Sequence, residues 1–464
     1  METEAVTLKR QLTLLEYGTC SDETQAKALF EHRESLQPYL KEKLLTQSFD
    51  GNQIHIRAAH FVGLMPFSGA NQTHWLLVAP KGCREDENLG LLRFLELIAL
   101  SECNTPPETV PGLEAESGPN RFLLFLAYHY AKLLRDLCLR DFRSYYRHEE
   151  GELRGRIRGR LRLADYTRLA IRGKPHVLAC RWDEFTVDNW DNRILWAAAR
   201  RLKQVAASFD PRAAALVWRP FERLIPWFSA VAEVPIRAED FRKSRLGRTS
   251  RYYRHALAWA RLLLQGGDLP TGGGQVPPLV LNTHQAFEKF AEVVVRAAFP
   301  EKWEIEFQKD VKFLERPQAQ VRRPDISLSD PKKAVIAVGD AKYKEVLEHA
   351  ADDKLATGSD VFNASIQHGD WNQLYVYMRL TTAPCGFFVL PFWNKDGNHV
   401  EWLDQFEFAV PPCDGSARVG VLALNLLRPL GDVKQKAAEQ LRRWLSPSVS
   451  PFAAMAGNRN GEAR

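Results

Sequence analysis

The chain has 464 residues, of which 45% are hydrophobic and 26% are charged. This length and composition predict a globular protein of two or three domains with a substantial core. The formal net charge of +6 permits nucleic-acid binding but does not establish it. The cysteines form no C-x-x-C pair and are odd in number, which argues against a zinc site and against a disulfide framework.

Residues 1–115 mix short alternating runs with turn residues. The alternation predicts strands over 53–57 and 75–79, followed by a helix over 89–101. We therefore expect a β-rich N-terminal domain over 1–115, which ends in a Pro- and Gly-rich linker over 104–120. We find no signal-peptide pattern and no apolar run of membrane-spanning length, so we expect a cytoplasmic protein.

The middle region, residues 116–275, is predicted to be mainly helical. Apolar residues recur at helical spacing over 121–140, 192–205 and 251–264. One segment differs and is predicted to be a strand with a row of guanidinium groups on one face. These groups belong to Arg154, Arg156, Arg158, Arg160 and Arg162. A Gly-rich stretch over 266–275 marks the start of the last domain.

Two arginine clusters in the middle region are candidate DNA-binding surfaces, because contacts to phosphates add affinity. The candidates are Arg154, Arg156 and Arg158 in the first cluster and Arg245, Arg248 and Arg251 in the second. The alternative is a solvated or salt-bridged surface, for which Glu149, Glu150 and Glu152 are available to the first cluster. The first cluster could equally face a protein partner.

Residues 276–464 are predicted to form an α/β domain. Helices are expected over 283–298, 369–380 and 432–445, with strands between them. The end of the chain, from residue 446 onward, is predicted to be frayed. The three regions together predict an α+β multidomain protein.

The last domain carries charged residues on a predicted β-hairpin. Asp325 lies on the first strand, and Asp340, Lys342 and Lys344 share one face of the second, whose apolar start indicates a buried central strand. Two carboxylates this close repel each other, and a divalent cation would relieve the repulsion. Mg²⁺ takes carboxylate and carbonyl oxygens, and a lysine beside it could steady the attacking water or a phosphate. The pattern therefore indicates phosphodiester hydrolysis.

Pro324-Asp325 followed by Asp340-Ala341-Lys342 resembles the signature of the PD-(D/E)xK nucleases. The resemblance implies a domain with a central mixed sheet, in which Asp325, Asp340 and Lys342 are catalytic. It also implies that Asp325, Asp340 and Ala341 hold Mg²⁺ or Mn²⁺. A structural salt-bridge cluster is the alternative for these residues.

Other positions extend this resemblance. Glu288 matches the catalytic glutamate that the family often adds on the preceding helix. Gln373 and Tyr377 match the Q-x-x-x-Y spacing of RecB-like and Cas4-like members, and with Lys344 they are expected to support the site. The alternatives are a surface carboxylate for Glu288 and a packing role for Gln373 and Tyr377.

Between about residues 50 and 445 the chain also resembles McrC, the nuclease subunit of McrBC-type methylation-dependent restriction systems. Strand-like segments over 61–64 and 77–81 carry the N-terminal part of the resemblance. The central part is carried by residues 153–156, 180–188 and 192–195. Residues 286–290 and the set from Asp325 to Lys342 then follow in the family's order.

The McrC resemblance implies a division of labour. The nuclease subunit would dock through its N-terminal region onto an McrB-like hexameric AAA+ GTPase and stimulate GTP hydrolysis. The partner would recognise and translocate DNA, and the nuclease would cut it. Dimerisation of the nuclease on DNA is a further possibility. The chain has no G-x-x-x-x-G-K-[ST] motif, so we do not expect it to hydrolyse nucleotide alone.

Two further readings stay open on the sequence. One is a self-sufficient DNA nuclease of the RecB or Cas4 kind, which the Gln373 motif permits. The other is an assembly and GTPase-activating module whose nuclease site is vestigial. The intact Asp325, Asp340 and Lys342 argue against the second.

Overall fold

A computed structural model describes most of the chain. The described residues are 11–18, 29, 31–50, 53–68, 73–84, 86–103, 118–209, 211–245, 250–264, 278–299, 303–314, 320–330, 333–344, 366–406, 408, 412 and 417–445. Two compact units are present. The first comprises Met1–Gly63, Leu76–Pro107 and Leu281–Arg464, and the second comprises Leu64–Trp75 and Glu108–Val280. These units do not follow the three predicted domains, because residues 1–63 and 76–107 cluster with the C-terminal residues.

The N-terminal part of the chain alternates strands with helices. Its elements are β1 (Gln11–Leu15), α1 (Arg33–Lys41), β2 (Leu45–Asp50), β3 (Gln53–Ala58), β4 (Phe61–Ser68), β5 (Thr73–Ala79), a 3-10 turn (Lys81–Arg84) and α2 (Glu87–Cys103). Strands β2 and β3 form an antiparallel pair. The predicted strands over 53–57 and 75–79 and the helix over 89–101 are confirmed. Much of the predicted linker over 104–120 lies outside the described residues.

The second unit is mainly helical. Its elements are α3 (Gly118–Asp141), β6 (Tyr145–Arg154), β7 (Arg160–Leu161), α4 (Leu163–Ile171), β8 (Val177–Thr186), α5 (Trp190–Phe209), α6 (Pro211–Trp218), α7 (Ile225–Phe228) and α8 (Arg251–Leu264), with 3-10 turns over Arg219–Leu224 and Ala238–Lys243. Helices α3, α5 and α8 pack together around the buried side chains of Tyr130, Tyr253 and Trp259. The Tyr130 hydroxyl donates to the carbonyl of Leu195 at 2.8 Å, so this buried polar group is paired.

The predicted arginine strand over 154–162 is wrong. Strand β6 ends at Arg154, and β7 contains only Arg160 and Leu161, so the guanidinium groups do not share one strand face. Gly155 and Gly159 lie between these strands with φ values of 67° and 66°, in the left-handed region that glycine adopts readily. A Cβ at Gly159 would lie 2.3 Å from the carbonyl oxygen of Arg181. The two glycines therefore turn the backbone where alternation alone predicted a straight strand.

The C-terminal part of the chain adds a large mixed sheet. Its elements are β9 (Leu279–Asn282), α9 (Thr283–Ala298), β10 (Glu304–Phe307), β11 (Val311–Leu314), β12 (Gln320–Arg322), β13 (Ile326–Ser329), β14 (Val335–Ala341), α10 (His368–Thr381), β15 (Cys385–Phe392), β16 (Val400–Phe406), β17 (Arg418–Asn425) and α11 (Leu430–Leu445). Strand β9 completes a four-stranded sheet of order β1-β5-β4-β9. The Gly-rich stretch over 266–275 and the end from residue 446 lie outside the described residues.

The six-stranded sheet of the first unit has the order β10-β13-β14-β15-β17-β16. Strands β14, β15 and β17 run parallel, whereas the remaining pairs are antiparallel. Strand β15 is buried at every position, as its continuous apolar sequence requires of a central parallel strand. Helix α10 packs against β14 and β15, and α9 packs against α11 and α2. The chain is thus a mixed α/β protein, and β14 ends inside its largest sheet.

None of the helices in the described part of the chain is long and apolar enough to cross a membrane.

Candidate active site

The pairing of β13 with β14 brings two aspartates together. Ile326 is opposite Gly339 in the antiparallel register, so Asp325 lies beside the end of β14. The backbone N–H of Ala341 donates to Asp325 Oδ2 at 2.9 Å, which fixes this carboxylate next to Asp340. Because β14 pairs in parallel with the fully buried β15, Asp340 is only 1% exposed to solvent. The hairpin register and the central strand therefore place Asp340 inside the sheet and Asp325 beside it, directly before β13.

Lys342 connects Asp340 to helix α10. Its ammonium nitrogen lies 2.8 Å from Asp340 Oδ2 and donates to Gln373 Oε1 at 3.2 Å. The amide of Gln373 in turn donates to the hydroxyl of Tyr377 at 2.5 Å. Residues Gln373 and Tyr377 are one helical turn apart, so both reach the same end of the sheet. The structure thus joins four of the predicted site residues in one polar chain.

The electrostatics of the site are dominated by burial and by like charges. Burial and the neighbouring Asp325 carboxylate raise the pKa of Asp340 to about 8, against the opposing effect of Lys342. Burial and Asp325 likewise raise the pKa of Glu288 on α9 to about 7. Burial opposes the charge of Lys342, but the carboxylates of Asp340, Asp325 and Asp370 together raise the pKa of the ammonium group. The Asp325 carboxylate therefore disfavours the charged forms of both Asp340 and Glu288, and Lys342 opposes this effect at each of them.

The oxygen atoms at the end of β14 suit a hard divalent cation. Among the described residues, Asp340 Oδ2 accepts no aligned hydrogen bond, so its contact with Lys342 is an ion pair that leaves acceptor capacity. No group of three histidine, cysteine, aspartate or glutamate side chains is arranged as a metal cage in the described part of the chain. Mg²⁺ does not need such a cage, because it is usually bound by one or two carboxylates and keeps several waters. The Asp325 and Asp340 carboxylates fit this preference.

Lys344 has a separate partner. Its ammonium group forms an ion pair with Asp370, whose Oδ2 also accepts the backbone N–H of Gln367 at 2.9 Å and so caps helix α10. Lys344 therefore ties the end of β14 to the start of the helix that carries Gln373. The supporting role of Lys344 stays a prediction.

Gln308 was not predicted from the sequence. Its side-chain amide donates to Asp325 Oδ1 at 2.7 Å, and its backbone N–H donates to the carbonyl of Asp325 at 3.2 Å. Gln308 follows β10, whose antiparallel pairing with β13 ends at Phe307 and Ile326. No motif in the sequence marks this residue, because its position depends on a strand pair that spans a further hairpin.

A buried polar network around Glu16 was also not predicted from the sequence patterns. Glu16 is 2% exposed and accepts hydrogen bonds from the hydroxyls of Tyr343, at 2.9 Å, and Thr283. The ammonium group of Lys81 lies 5.3 Å from the centre of the Tyr343 ring. Burial raises the pKa of Glu16 to about 7, while the hydrogen bond from Thr283 and the charge of Lys81 oppose the shift. Tyr343 lies between Lys342 and Lys344, so this network holds the segment that directly follows β14.

The predicted DNA-binding arginines belong to the second unit. Arg154, Arg156 and Arg158 are exposed at or after the end of β6, and Arg158 pairs with Glu184 at 3.7 Å. Arg245 and Arg251 are exposed near the start of α8, whereas Arg248 lies outside the described residues.

The fold and this site define a mixed α/β protein with a carboxylate pair and a lysine at the end of a central strand. The family model described as McrBC 5-methylcytosine restriction system component matches residues 56–390, more than half of the chain. The chain therefore belongs to the McrBC family.

Two solved structures are similar to this chain. One is the refined half-complex from a tetradecameric assembly of Thermococcus gammatolerans McrB AAA+ hexamers with bound McrC, with a TM-score of 0.52 and 20% identity over 94% of this chain and 100% of that chain. The second is the T. gammatolerans McrBC complex, with a TM-score of 0.37 and 18% identity over 63% of this chain and 89% of that chain. The first likeness shows a shared fold. No curated protein matches this chain.

Proposed function

We propose that this chain is the DNA endonuclease subunit of a McrBC-type restriction system, with Asp325, Asp340 and Lys342 at its catalytic centre. The observation that carries the proposal is the meeting of two carboxylates and one ammonium group at the buried end of β14. A purely structural ion pair would need one acid and one base, whereas the second acid here adds repulsion. The resemblance to PD-(D/E)xK nucleases and the family membership support DNA as the substrate.

Asp325, Asp340 and the backbone carbonyl of Ala341 would hold Mg²⁺ or Mn²⁺. The fit rests on the two adjacent carboxylates and on the acceptor capacity of Asp340 Oδ2. The cation would neutralise charge on the scissile phosphate and favour ionisation of the attacking water.

The remaining roles belong to the chain's own side chains. Lys342 is held by Asp340 and Gln373, which would leave a further ammonium proton to orient a phosphate oxygen or the attacking water. Tyr377 fixes the Gln373 amide and so determines which of its atoms faces Lys342. Glu288 lies within electrostatic range of Asp325 and Lys342 and would orient water on the open side of the site.

We further propose that the chain acts with an McrB-like AAA+ GTPase hexamer and stimulates its GTP hydrolysis. A solved structure of similar fold contains McrB AAA+ hexamers with bound McrC. The present sequence lacks a phosphate-binding loop of its own, which supports dependence on a partner motor. The exposed arginines 154, 156 and 158 would contact either that partner or DNA.

A self-sufficient nuclease is the second candidate. The contact of Gln373 with both Lys342 and Tyr377 favours it, because this pattern resembles that of RecB-like nucleases. Both candidates use the same catalytic centre and differ only in their need for the partner.

Plasmid cleavage with Mg²⁺ tests both candidates. The wild type would be compared with Asp340→Ala and Lys342→Ala, and with the exposed controls Asp396→Ala and Lys436→Ala, with and without GTP and a copurified AAA+ protein. Cutting that needs the partner, GTP and both site residues supports the first candidate, and cutting by the isolated chain supports the second. If wild type and site variants behave alike in every condition, the catalytic assignment is wrong and a GTPase-activating module takes its place.

A further inference from the structure

Two arginines from distant parts of the second unit converge on one tyrosine. Arg140, near the end of α3, donates to the hydroxyl oxygen of Tyr252 at 3.3 Å, although 112 residues separate them. Arg251, the first residue of α8, donates to the same oxygen at 2.9 Å. Their guanidinium carbons lie 5.8 and 4.9 Å from the centre of the Tyr252 ring. Both arginines are exposed, so this cluster is open to solvent.

Within the part of the chain that the structure describes, no carboxylate compensates the two positive charges of this cluster. Among the described residues, neither Arg140 nor Arg251 forms an ion pair with aspartate or glutamate. Asp141 is the neighbouring acid on α3, but its two oxygens accept from Arg143 at 2.6 and 3.0 Å. A surface that holds two like charges together around a neutral oxygen is a place where an anion lowers the electrostatic free energy.

The geometry fits a phosphate group in particular. Each guanidinium group presents a planar fork of N–H donors that matches the oxygens of a phosphate. The Tyr252 oxygen accepts from both arginines, so its own hydrogen is directed elsewhere and can serve as a third donor. The hydrogen bonds from Arg251 and Arg140 also lower the pKa of Tyr252, which is consistent with a positive local field.

We infer that Arg140, Tyr252 and Arg251 form a phosphate-binding site for the DNA backbone on the second unit. The sequence patterns singled out Arg251 and the adjacent Tyr252 but not Arg140, because Arg140 comes from a second helix. The phosphate chemistry follows from the side chains alone. The choice of DNA rather than a free phosphate rests on the proposed function.

The experiment measures binding of a fluorescent DNA duplex to the full-length chain in EDTA, in an Asp340→Asn background that removes cleavage. Arg140→Gln and Arg251→Gln are each expected to weaken binding by roughly 3- to 10-fold and to reduce the slope of log affinity against log salt by about 0.9. Tyr252→Phe is expected to weaken binding by roughly 2-fold with an unchanged slope, because it removes a neutral donor. Arg223→Gln, an exposed arginine in a 3-10 turn of the same unit, is the matched control and should have no effect.

Three outcomes overturn the inference. The first is a double variant Arg140→Gln/Arg251→Gln with the affinity and salt slope of the parent, and the second is a parent that binds no duplex even at low salt. In the third, inorganic phosphate binds the parent but not the double variant, whereas DNA binds both proteins equally. That result would assign the site to a free anion. Unfolding temperatures of the arginine variants should agree with that of the parent, since both arginines are exposed. A wild-type chain that binds DNA through this site but never cuts would refute the proposed nuclease and leave the phosphate site intact.

Discussion

The hydroxyl of Tyr343 donates a 2.9 Å hydrogen bond to Oε2 of Glu16, across 327 residues of sequence. The other carboxylate oxygen of Glu16 accepts from Thr283, the first residue of the helix that carries Glu288. One buried carboxylate near the N-terminus thus contacts both the segment directly after β14, next to Lys342, and the helix that bears Glu288. This arrangement links the N-terminal residues to the C-terminal sheet within one compact unit.

Tyr343→Phe is expected to lower the free energy of unfolding by about 1–3 kcal/mol, because it leaves an oxygen of Glu16 buried without its donor. Urea unfolding of the full-length chain measures this change. Tyr146→Phe is the control, since Tyr146 is 69% exposed and its hydroxyl can bind water. Equal stability of Tyr343→Phe and wild type would show that Glu16 is satisfied without this contact.

Asp340 makes the metal-free protein sensitive to pH. Its pKa rises from 3.8 to about 8 on folding, so the folded state binds the proton more tightly than the unfolded state. The resulting stability is complete below pH 3.8 and is lost as pH rises through about 8. In EDTA we expect the unfolding temperature of the wild type to fall between pH 5 and 8 more than that of Asp340→Asn. If the unfolding temperatures of the two proteins depend on pH in the same way, titration of Asp340 is not the cause.

Mg²⁺ should offset that loss. Binding to the ionised pair of Asp325 and Asp340 replaces mutual repulsion with attraction, so stabilisation by Mg²⁺ is expected to be larger at pH 8 than at pH 6. Thermal shifts with and without saturating Mg²⁺ at both pH values measure the difference. The same shift in Asp340→Asn would place the cation elsewhere.

The sequence predicts the centre of the site better than its surroundings, for a physical reason. Asp340 lies on one strand of a hairpin, Lys342 directly follows that strand and Asp325 directly precedes the other, so a short connection determines their geometry. Gln308 and Glu16 reach the site through pairings that skip intervening elements, and local patterns carry no information about these. The prediction of an arginine strand was wrong for a different reason. Gly155 and Gly159 adopt left-handed backbone angles, which side-chain alternation does not reveal.

Gln373→Leu tests how Lys342 is oriented. Loss of the amide removes the 3.2 Å contact to the ammonium group and the link to Tyr377, so cleavage is expected to fall roughly 10- to 100-fold, as for other residues that orient a catalytic group. Asn372→Ala, at the adjacent exposed position of the same helix, should leave cleavage unchanged. Tyr377→Phe should have a smaller effect in the same direction, because Gln373 can still reach Lys342. Full activity of Gln373→Leu would show that Gln373 does not orient Lys342 and has only a packing role.

Gly339→Ala should disturb the site through packing alone. A Cβ at this position would lie 2.5 Å from Cζ of Phe387 on the adjacent strand β15, and this ring cannot swing into solvent because Phe387 is fully buried. We expect a loss of about 1–3 kcal/mol in the free energy of unfolding, measured in urea, together with reduced cleavage, because Asp340 is the next residue. The double variant Gly339→Ala/Phe387→Leu makes room for the methyl group and should recover part of both losses. If the second substitution only adds to the first, the close contact with Phe387 is not the cause.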